Sequence, residues 1–497
     1  MVEKSTKEVR RKIVDNYLNF IGGEWIDSKD GITNTQVNPA NPSQIVGYTA
    51  AATVEEVDTA VQQAKLAFQQ WKQLSPVGRG EILRKAADLL EAQSQDIAET
   101  ATKEMGKRFI EMKGEVLRGA AILRYYAQEG MRKLGEVLPS ANNQNTLYTL
   151  RVPLGVISVI TPWNFPVAIP IWKIAPALVY GNTVVWKPSM EAGITAVKIA
   201  KVFEQAGLPA GVLNLVNGSG EIVGNALVEH PLTSAITFTG SNRVGRELAS
   251  KAVAQNKKYQ LELGGKNPVV VLEDADLDLA AKLTVEGAMK QTGQRCTATS
   301  RVYVEASIYD MFIEKLLENV TQIKVGDGLD GSVTMGPVAS KKQFETVTSY
   351  IQKGIEEGAE LLYGGNALYD PVYNGGYFVE PTIFASVTNE MTIAREEIFG
   401  PVLAVIKVAD YADALTQAND TIYGLSASLF TTNLNKAFDF IKNSEVGMVQ
   451  INGETGGAEP QAPFGGMKES SSGTREQGQA AMEFFTAYKT VSLTTSL

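Results

Sequence analysis

The sequence is poor in the residues from which many functions are built. Its 497 residues include one cysteine, Cys296, and one histidine, His230. One cysteine permits no intramolecular disulfide, and with a single histidine beside it the chain has no basis for a zinc site. No apolar run reaches roughly 18 residues, the length a membrane-spanning helix needs, so no membrane association is expected. Positive charge is in deficit: 46 Lys and Arg face 55 Asp and Glu, for a net charge of −9. That balance argues against a nucleic-acid partner while leaving room for a local basic pocket. The amino-terminal stretch Arg10-Arg11-Lys12 has no apolar segment after it, and Glu3, Glu8 and Asp15 spoil a transit-peptide pattern. A cytoplasmic enzyme is expected, with the basic run read as a solvated helix face.

What the chain does contain is ordinary for a folded protein: 44% hydrophobic and 20% charged residues. Its length exceeds what one core usually supports, which predicts two or three domains. Thr53 and Glu56 form a Thr-x-x-Glu capping box before Val57, Ala60, Val61, Ala64 and Phe68 at helical spacing. Further amphipathic helices are predicted from about Pro76 to Leu134. From residue 145 the period changes. Short β-branched runs (155–160, 183–186, 212–216, 235–238, 268–272) alternate with helix-length segments, the pattern of a parallel sheet covered on both faces. A second such series follows, and the boundary is placed near Leu263-Gly264-Gly265. The carboxyl ends of such strands are where ligands bind.

The chemistry-bearing residues cluster at those ends. Cys296 lies in the polar stretch Gly293-Gln294-Arg295-Cys296-Thr297. It reads either as a nucleophile, with Arg295 favouring the thiolate, or as a small core residue. Asn164, in Thr161-Pro162-Trp163-Asn164-Phe165-Pro166, is either an amide held to donate to an oxyanion or part of a structural turn. Glu262 interrupts an apolar strand and reads as a buried general base or an ion-pair partner. Phe238-Thr239-Gly240-Ser241 ends a strand and opens a helix, presenting free N–H groups to an anion. Gly218-x-Gly220-x-x-x-Gly224 resembles a dinucleotide fingerprint with one residue too many. Lys187 follows a strand and could reach a ribose or phosphate; Glu397 stands near Phe399. His230, before Pro231, reads as a structural helix-end residue.

Together these segments resemble the aldehyde dehydrogenase superfamily, over about residues 17–494. The likeness rests on Pro162-Trp163-Asn164-Phe165-Pro166, Phe238-Thr239-Gly240-Ser241, Leu261-Glu262-Leu263-Gly264-Gly265-Lys266, Gly293-Gln294-Arg295-Cys296, Glu396-Glu397-Ile398-Phe399-Gly400-Pro401 and Pro463-Phe464-Gly465-Gly466. It implies an α/β fold. A Rossmann-like cofactor domain would span 1–126 and 153–263, a catalytic domain 264–470, and a small β oligomerisation element 127–152 and 471–497. A homodimer or homotetramer is expected. Cys296 would attack the aldehyde carbonyl, Asn164 and the Cys296 N–H would hold the oxyanion, and Glu262 would activate water against the thioester. Lys187, Ser189, Glu397, Gly224, Gly240 and Ser241 would bind the cofactor, with Trp163 and Phe399 as its walls.

Many NAD-preferring members carry a glutamate three residues after the lysine, and here Met190 stands there, so NADP is favoured with NAD as alternative. Phe165, Trp172, Arg295 and Phe464 are expected to form the substrate pocket. Succinate-semialdehyde members carry an arginine where this chain has Trp172, which speaks against that subgroup. The wording around Asn164, Cys296 and Phe464 is most similar to the α-ketoglutaric semialdehyde dehydrogenases, which implies oxidation of 2,5-dioxopentanoate to 2-oxoglutarate. A broad-specificity aliphatic or aromatic aldehyde dehydrogenase is the nearest alternative. Acylating members usually lack the base, so Glu262 argues for hydrolysis. A non-catalytic protein on the same scaffold would have lost Cys296, Glu262 or Asn164, and all three are present.

Overall fold

The β-branched runs fold into two mainly parallel sheets in a computed structural model that describes residues 15–494. The basic stretch at 10–12 lies outside the described residues. The first sheet has eight strands, in the order Ser471–Ser472, Lys258–Glu262, Thr233–Thr239, Val156–Ile160, Thr183–Lys187, Leu213–Leu215, Asn19–Ile21 and Glu24–Ile26. The five from Lys258–Glu262 to Leu213–Leu215 are parallel, and the outer strands join them antiparallel. Val156–Ile160 and Thr183–Lys187 are buried at every position. Helices cover both faces, which is why these strands read as unbroken apolar runs rather than alternating ones.

The chain passes to the second sheet between Glu262 and Asn267. Its seven strands run in the order Glu360–Tyr363, Thr382–Ala385, Val402–Val408, Thr299–Glu305, Asn267–Val271, Ser426–Phe430 and Met448–Ile451. Only the first of these is antiparallel to its neighbour.

The capping box forms as the sequence predicts. Glu56 N–H donates to Thr53 Oγ1 at 3.2 Å, and Thr53 N–H donates to Glu56 Oε2 at 2.7 Å. The Val54–Trp71 helix that follows buries Val57, Ala60, Val61, Ala64 and Phe68. Pro76–Ala92, Ser94–Met105 and Phe109–Glu129 continue the layer, packing on the Ala168–Val179 helix in one large apolar cluster.

A third sheet stands apart. Thr486–Thr494 pairs antiparallel with Asn145–Pro153 over nine residue pairs, with Val137–Leu138 on the other side. Two stretches expected in this element pack elsewhere. Residues 127–129 complete the Phe109–Glu129 helix, and Ser471–Ser472 pairs with Leu261–Glu262 at the edge of the first sheet. Both go where their apolar or backbone partners are, which short sequence ranges do not reveal. Among the described residues, no helix is long and apolar enough to cross a membrane.

Candidate active site

Cys296 follows a backbone turn of uncommon shape. Gln291, Thr292 and Gly293 have successive φ values of 54°, 58° and 68°, all left-handed. At Gly293 a Cβ would stand 2.1 Å from the Gly400 carbonyl oxygen, so the close approach demands glycine. Asn267 Nδ2 then donates to the carbonyls of Cys296 and Ala298, each at 2.8 Å, and fixes the loop after the turn. The Asn164 side chain crosses to the same loop and donates to Gln294 O at 3.1 Å. An amide nitrogen carries two hydrogens, so one N–H of Asn164 is left for the space beside Cys296. Both residues line one cavity of about 280 Å³, with Trp163, Thr239, Leu263 and Phe399 among its other walls. Phe399 has φ 56°, and its ring meets Trp163 edge-on at 5.5 Å. Left-handed backbone at a bulky residue costs energy and is found where surrounding packing imposes it.

Burial pushes the Cys296 thiol up to about 12, with the Glu397 and Glu262 carboxylates adding to the shift. A hydrogen bond from the Thr297 backbone and the charge of Arg295 oppose it. Cys296 therefore rests as a thiol. The favourable influence expected of Arg295 is present but outweighed. Arg295 also departs from the expected substrate pocket: its Nη2 donates to Gly287 O at 2.6 Å and faces Glu454 at 3.5 Å. Its guanidinium is committed to the backbone of the preceding Leu277–Met289 helix, and it is not among the residues lining the Cys296 cavity.

Glu262 closes its strand at 2% exposure. Ser471 Oγ donates to its Oε2 at 2.7 Å, while Oε1 is buried without a hydrogen-bond partner. A buried acceptor left open is costly unless something donates to it. Burial, followed by the neighbouring Glu476 carboxylate, raises the Glu262 pKa well above the usual carboxylate range. The Ser471 hydrogen bond, Lys173 and Arg475 pull the other way. Glu476 has no local signature in the sequence. It is ion-paired with Lys173 and accepts from Trp172 Nε1 at 2.7 Å. Lys173 did carry a signal: it is the one charged residue in the otherwise apolar, wholly buried Ala168–Val179 helix. The other expected pocket residues, Phe165, Trp172 and Phe464, stand outside the Cys296 cavity wall. Trp172 packs on Phe464 with ring centres 5.3 Å apart, and Phe165 lies under Lys107 Nζ at 4.0 Å.

The Cys296 cavity adjoins a crevice of about 590 Å³ at the carboxyl ends of the first sheet, the two sharing Pro162, Trp163, Thr239, Gly240 and Ser241. Lys187, Ser189 and Gly224 also line it. Ser241 precedes the Asn242–Ala254 helix without capping it through its side chain, which leaves the hydroxyl free. The extra residue in the glycine motif is absorbed by a π-helical turn at Gly220–Gly224, a single-turn insertion of the kind that widens helices at binding sites. At Gly224 a Cβ would meet no atom closer than 4.0 Å, so the missing side chain keeps open space in the crevice wall. Lys187 is brought down to about 8 by burial, with Glu191 opposing. Ser189 Oγ donates to the Glu191 carboxylate. Glu397 accepts from Gly265 N–H at 3.0 Å, and burial raises it to about 7 despite that bond and the nearby Lys266.

An open glycine wall, a free hydroxyl at a helix start and a buried lysine at a strand end fit an elongated anionic nucleotide. Among the described residues, no group of three His, Cys, Asp or Glu side chains could hold a metal ion. His230 follows the Asn225–Glu229 helix, accepts from Leu232 N–H at 3.1 Å and faces Asp58 at 2.9 Å, away from these cavities.

Known proteins share this arrangement of the chain. Residues 25–491 match the profile of the aldehyde dehydrogenase family. The chain is 56% identical over 477 residues to an alpha-ketoglutaric semialdehyde dehydrogenase of Bacillus subtilis, covering 96% of this chain and 98% of the relative. It is 39% identical over 482 residues to a 2,5-dioxopentanoate dehydrogenase of Saccharolobus solfataricus, covering 96% and 98%. Among solved structures, betaine aldehyde dehydrogenase of Staphylococcus aureus in complex with NAD+ superposes with a TM-score of 0.94 at 32% identity, covering 97% and 95%.

Proposed function

The chain belongs to the aldehyde dehydrogenase family, and we propose that it oxidises 2,5-dioxopentanoate to 2-oxoglutarate through a thioester on Cys296. The observation that carries this reading is that Cys296 and Asn164 line one cavity joined to the strand-end crevice, with the Glu262 carboxylate near enough to act electrostatically on the thiol. The names of the relatives support the substrate.

Cys296 starts as a thiol, and a neighbouring carboxylate with a raised pKa is matched to take its proton. The resulting thiolate adds to the aldehyde carbon. The second N–H of Asn164 and the Cys296 backbone N–H receive the oxyanion; one such donor is worth about 3 to 4 kcal/mol. Lys187 and Glu397 are positioned for the riboses, Gly240 and Ser241 for the pyrophosphate. A bound nicotinamide dinucleotide supplies the acceptor for the hydride lost from the carbon on sulfur. Glu262 first passes the thiol's proton to solvent; with its carboxylate restored it then, through its open Oε1, holds and deprotonates the water that hydrolyses the Cys296 thioester. Ser471 orients the carboxyl, and the acid product leaves with sulfur returned to the thiol.

We assign the cofactor as NADP rather than NAD. Met190 supplies no carboxylate beside Lys187, and Arg243 lines the same crevice. The competing influences are Glu221 and Glu247, which line the same crevice, and Glu191, which already occupies Ser189. Met190→Glu is expected to lower kcat/KM for NADP relative to NAD by about tenfold through like-charge repulsion. An unchanged ratio would place the discrimination elsewhere.

A homodimer or homotetramer in the cytoplasm completes the reading. The Thr486–Thr494 strand is paired on one side only and exposes Tyr488 and Leu493, an edge suited to a second copy. The substrate assignment is tested by initial rates of reduced-cofactor formation with 2,5-dioxopentanoate, succinate semialdehyde, propanal and benzaldehyde. A clear kcat/KM preference for 2,5-dioxopentanoate is expected. Equal rates across the panel would withdraw the substrate and favour the broad-specificity alternative.

A further inference from the structure

Among the described residues, Arg118 has no ion-pair partner. It lies in the Phe109–Glu129 helix, partly buried, with its guanidinium carbon 5.8 Å from the centre of the Trp172 ring. Its Nε is inaccessible to solvent and has no hydrogen-bond partner. The nearest carboxylate, Glu115, is fully engaged. Lys107 Nζ takes its Oε2 at 2.5 Å, and the backbone N–H groups of Val167 and Ala168 take its Oε1 at 2.8 and 2.9 Å.

Burial lowers the pKa of Arg118, and the opposing influences are Glu115 and the Cys296 thiolate. The guanidinium is thus within electrostatic reach of the reacting sulfur. A desolvated charge whose donors are unfilled is costly unless a ligand completes it.

We propose that Arg118 is a specificity-determining residue that receives the carboxylate of an acid aldehyde whose carbonyl stands at Cys296. A planar fork of N–H donors matches a carboxylate with two parallel hydrogen bonds, and the Trp172 ring lies beside the fork within cation–π range. The substrate of the preceding section carries its carboxylate at the end opposite the aldehyde, so one molecule can engage both groups. Aldehydes without an anion would leave the guanidinium unpaired, which turns an unmet cost into selectivity. The proposal rests on the acid-aldehyde reading of the site.

The test compares 2,5-dioxopentanoate with pentanal, an uncharged aldehyde of equal chain length, in the wild type, Arg118→Met and Arg118→Lys. The ratio of kcat/KM for the acid over the neutral aldehyde is expected to fall about 100-fold in Arg118→Met, the scale of a charged hydrogen bond. The loss should appear mainly in KM, and Arg118→Lys should recover part of it. An unchanged ratio would overturn the proposal. So would an equal fall for both aldehydes accompanied by a shifted pH profile of Cys296 alkylation, which would make Arg118 a partner of the thiolate instead.

Should the wild type show no preference for 2,5-dioxopentanoate over pentanal, the substrate reading itself fails and the proposal with it. A wild-type preference that survives Arg118→Met sinks the proposal alone. A measurement independent of any variant is inhibition of pentanal oxidation by glutarate and by glutaramide. Glutarate is expected to inhibit at least about tenfold more tightly, and equal inhibition would contradict a carboxylate-binding cation.

Discussion

Cys296→Ala is expected to lower the rate of aldehyde oxidation by on the order of 10⁵-fold or more, the scale seen when a catalytic nucleophile is removed. The reasoning is that no second thiol can substitute: Cys296 is the only cysteine in the chain. Alanine fits where the sulfur stood, and the loop is held by contacts that do not involve the side chain. Asn267 bonds the Cys296 carbonyl rather than its sulfur, and Gly293 sets the turn before it. Cofactor binding, read by quenching of protein fluorescence, should therefore persist while turnover vanishes. Retained turnover in the folded variant would remove the thioester route.

Glu262→Gln is expected to split the reaction in time. Hydride transfer requires the thiolate and the oxyanion donors, whereas hydrolysis requires a base at the thioester. Loss of a general base costs typically 10² to 10⁴-fold, and we expect about 10³-fold in the steady rate. Rapid mixing should then show a burst of reduced cofactor close to one equivalent of sites, followed by the slow phase. Because Glu262 also takes the proton of Cys296, the burst phase slows too, and it keeps its amplitude because acylation stays faster than hydrolysis.

The pH dependence follows from the same carboxyl. Its pKa is raised by burial and by Glu476, so the basic form fills only as pH climbs through that raised value. The wild-type hydrolysis rate should accordingly increase with pH across that interval. Glu262→Gln should lose that dependence. A variant with an unaltered steady rate and pH profile would dismiss Glu262 as the base.

The parts of the site legible in the sequence are those set by local backbone. Asn164, Lys187 and the Gly240-Ser241 pair each follow a β-branched run, and strand ends in a parallel sheet gather at one edge. Cys296 stood out by scarcity and by its polar flanks. Arg295 favours the Cys296 thiolate as its position in the chain suggests, but its strength was not legible: burial outweighs it, and its guanidinium donates to the Gly287 carbonyl.

Glu476 and Ser471 gave no sign, since their roles come from packing against Glu262 from 209 residues away in the case of Ser471. Arg118 falls within the stretch that the sequence predicts only as amphipathic helix, with nothing local to single it out. Only its depth beside Trp172, and the prior commitment of Glu115, distinguish it from a solvated arginine. The extra residue in the glycine motif weakened that signal, and the π-helical turn explains why the spacing still serves.

Turnover passes through a covalent acyl-enzyme on Cys296. The most direct measurement is peptide mass spectrometry of Glu262→Gln quenched in acid during the slow phase, after mixing with 2,5-dioxopentanoate and oxidised dinucleotide. The account predicts the mass of a 2-oxoglutaryl thioester on the peptide containing Cys296, formed in step with the burst. An unmodified Cys296 throughout turnover, or an acyl group on another residue, would contradict it.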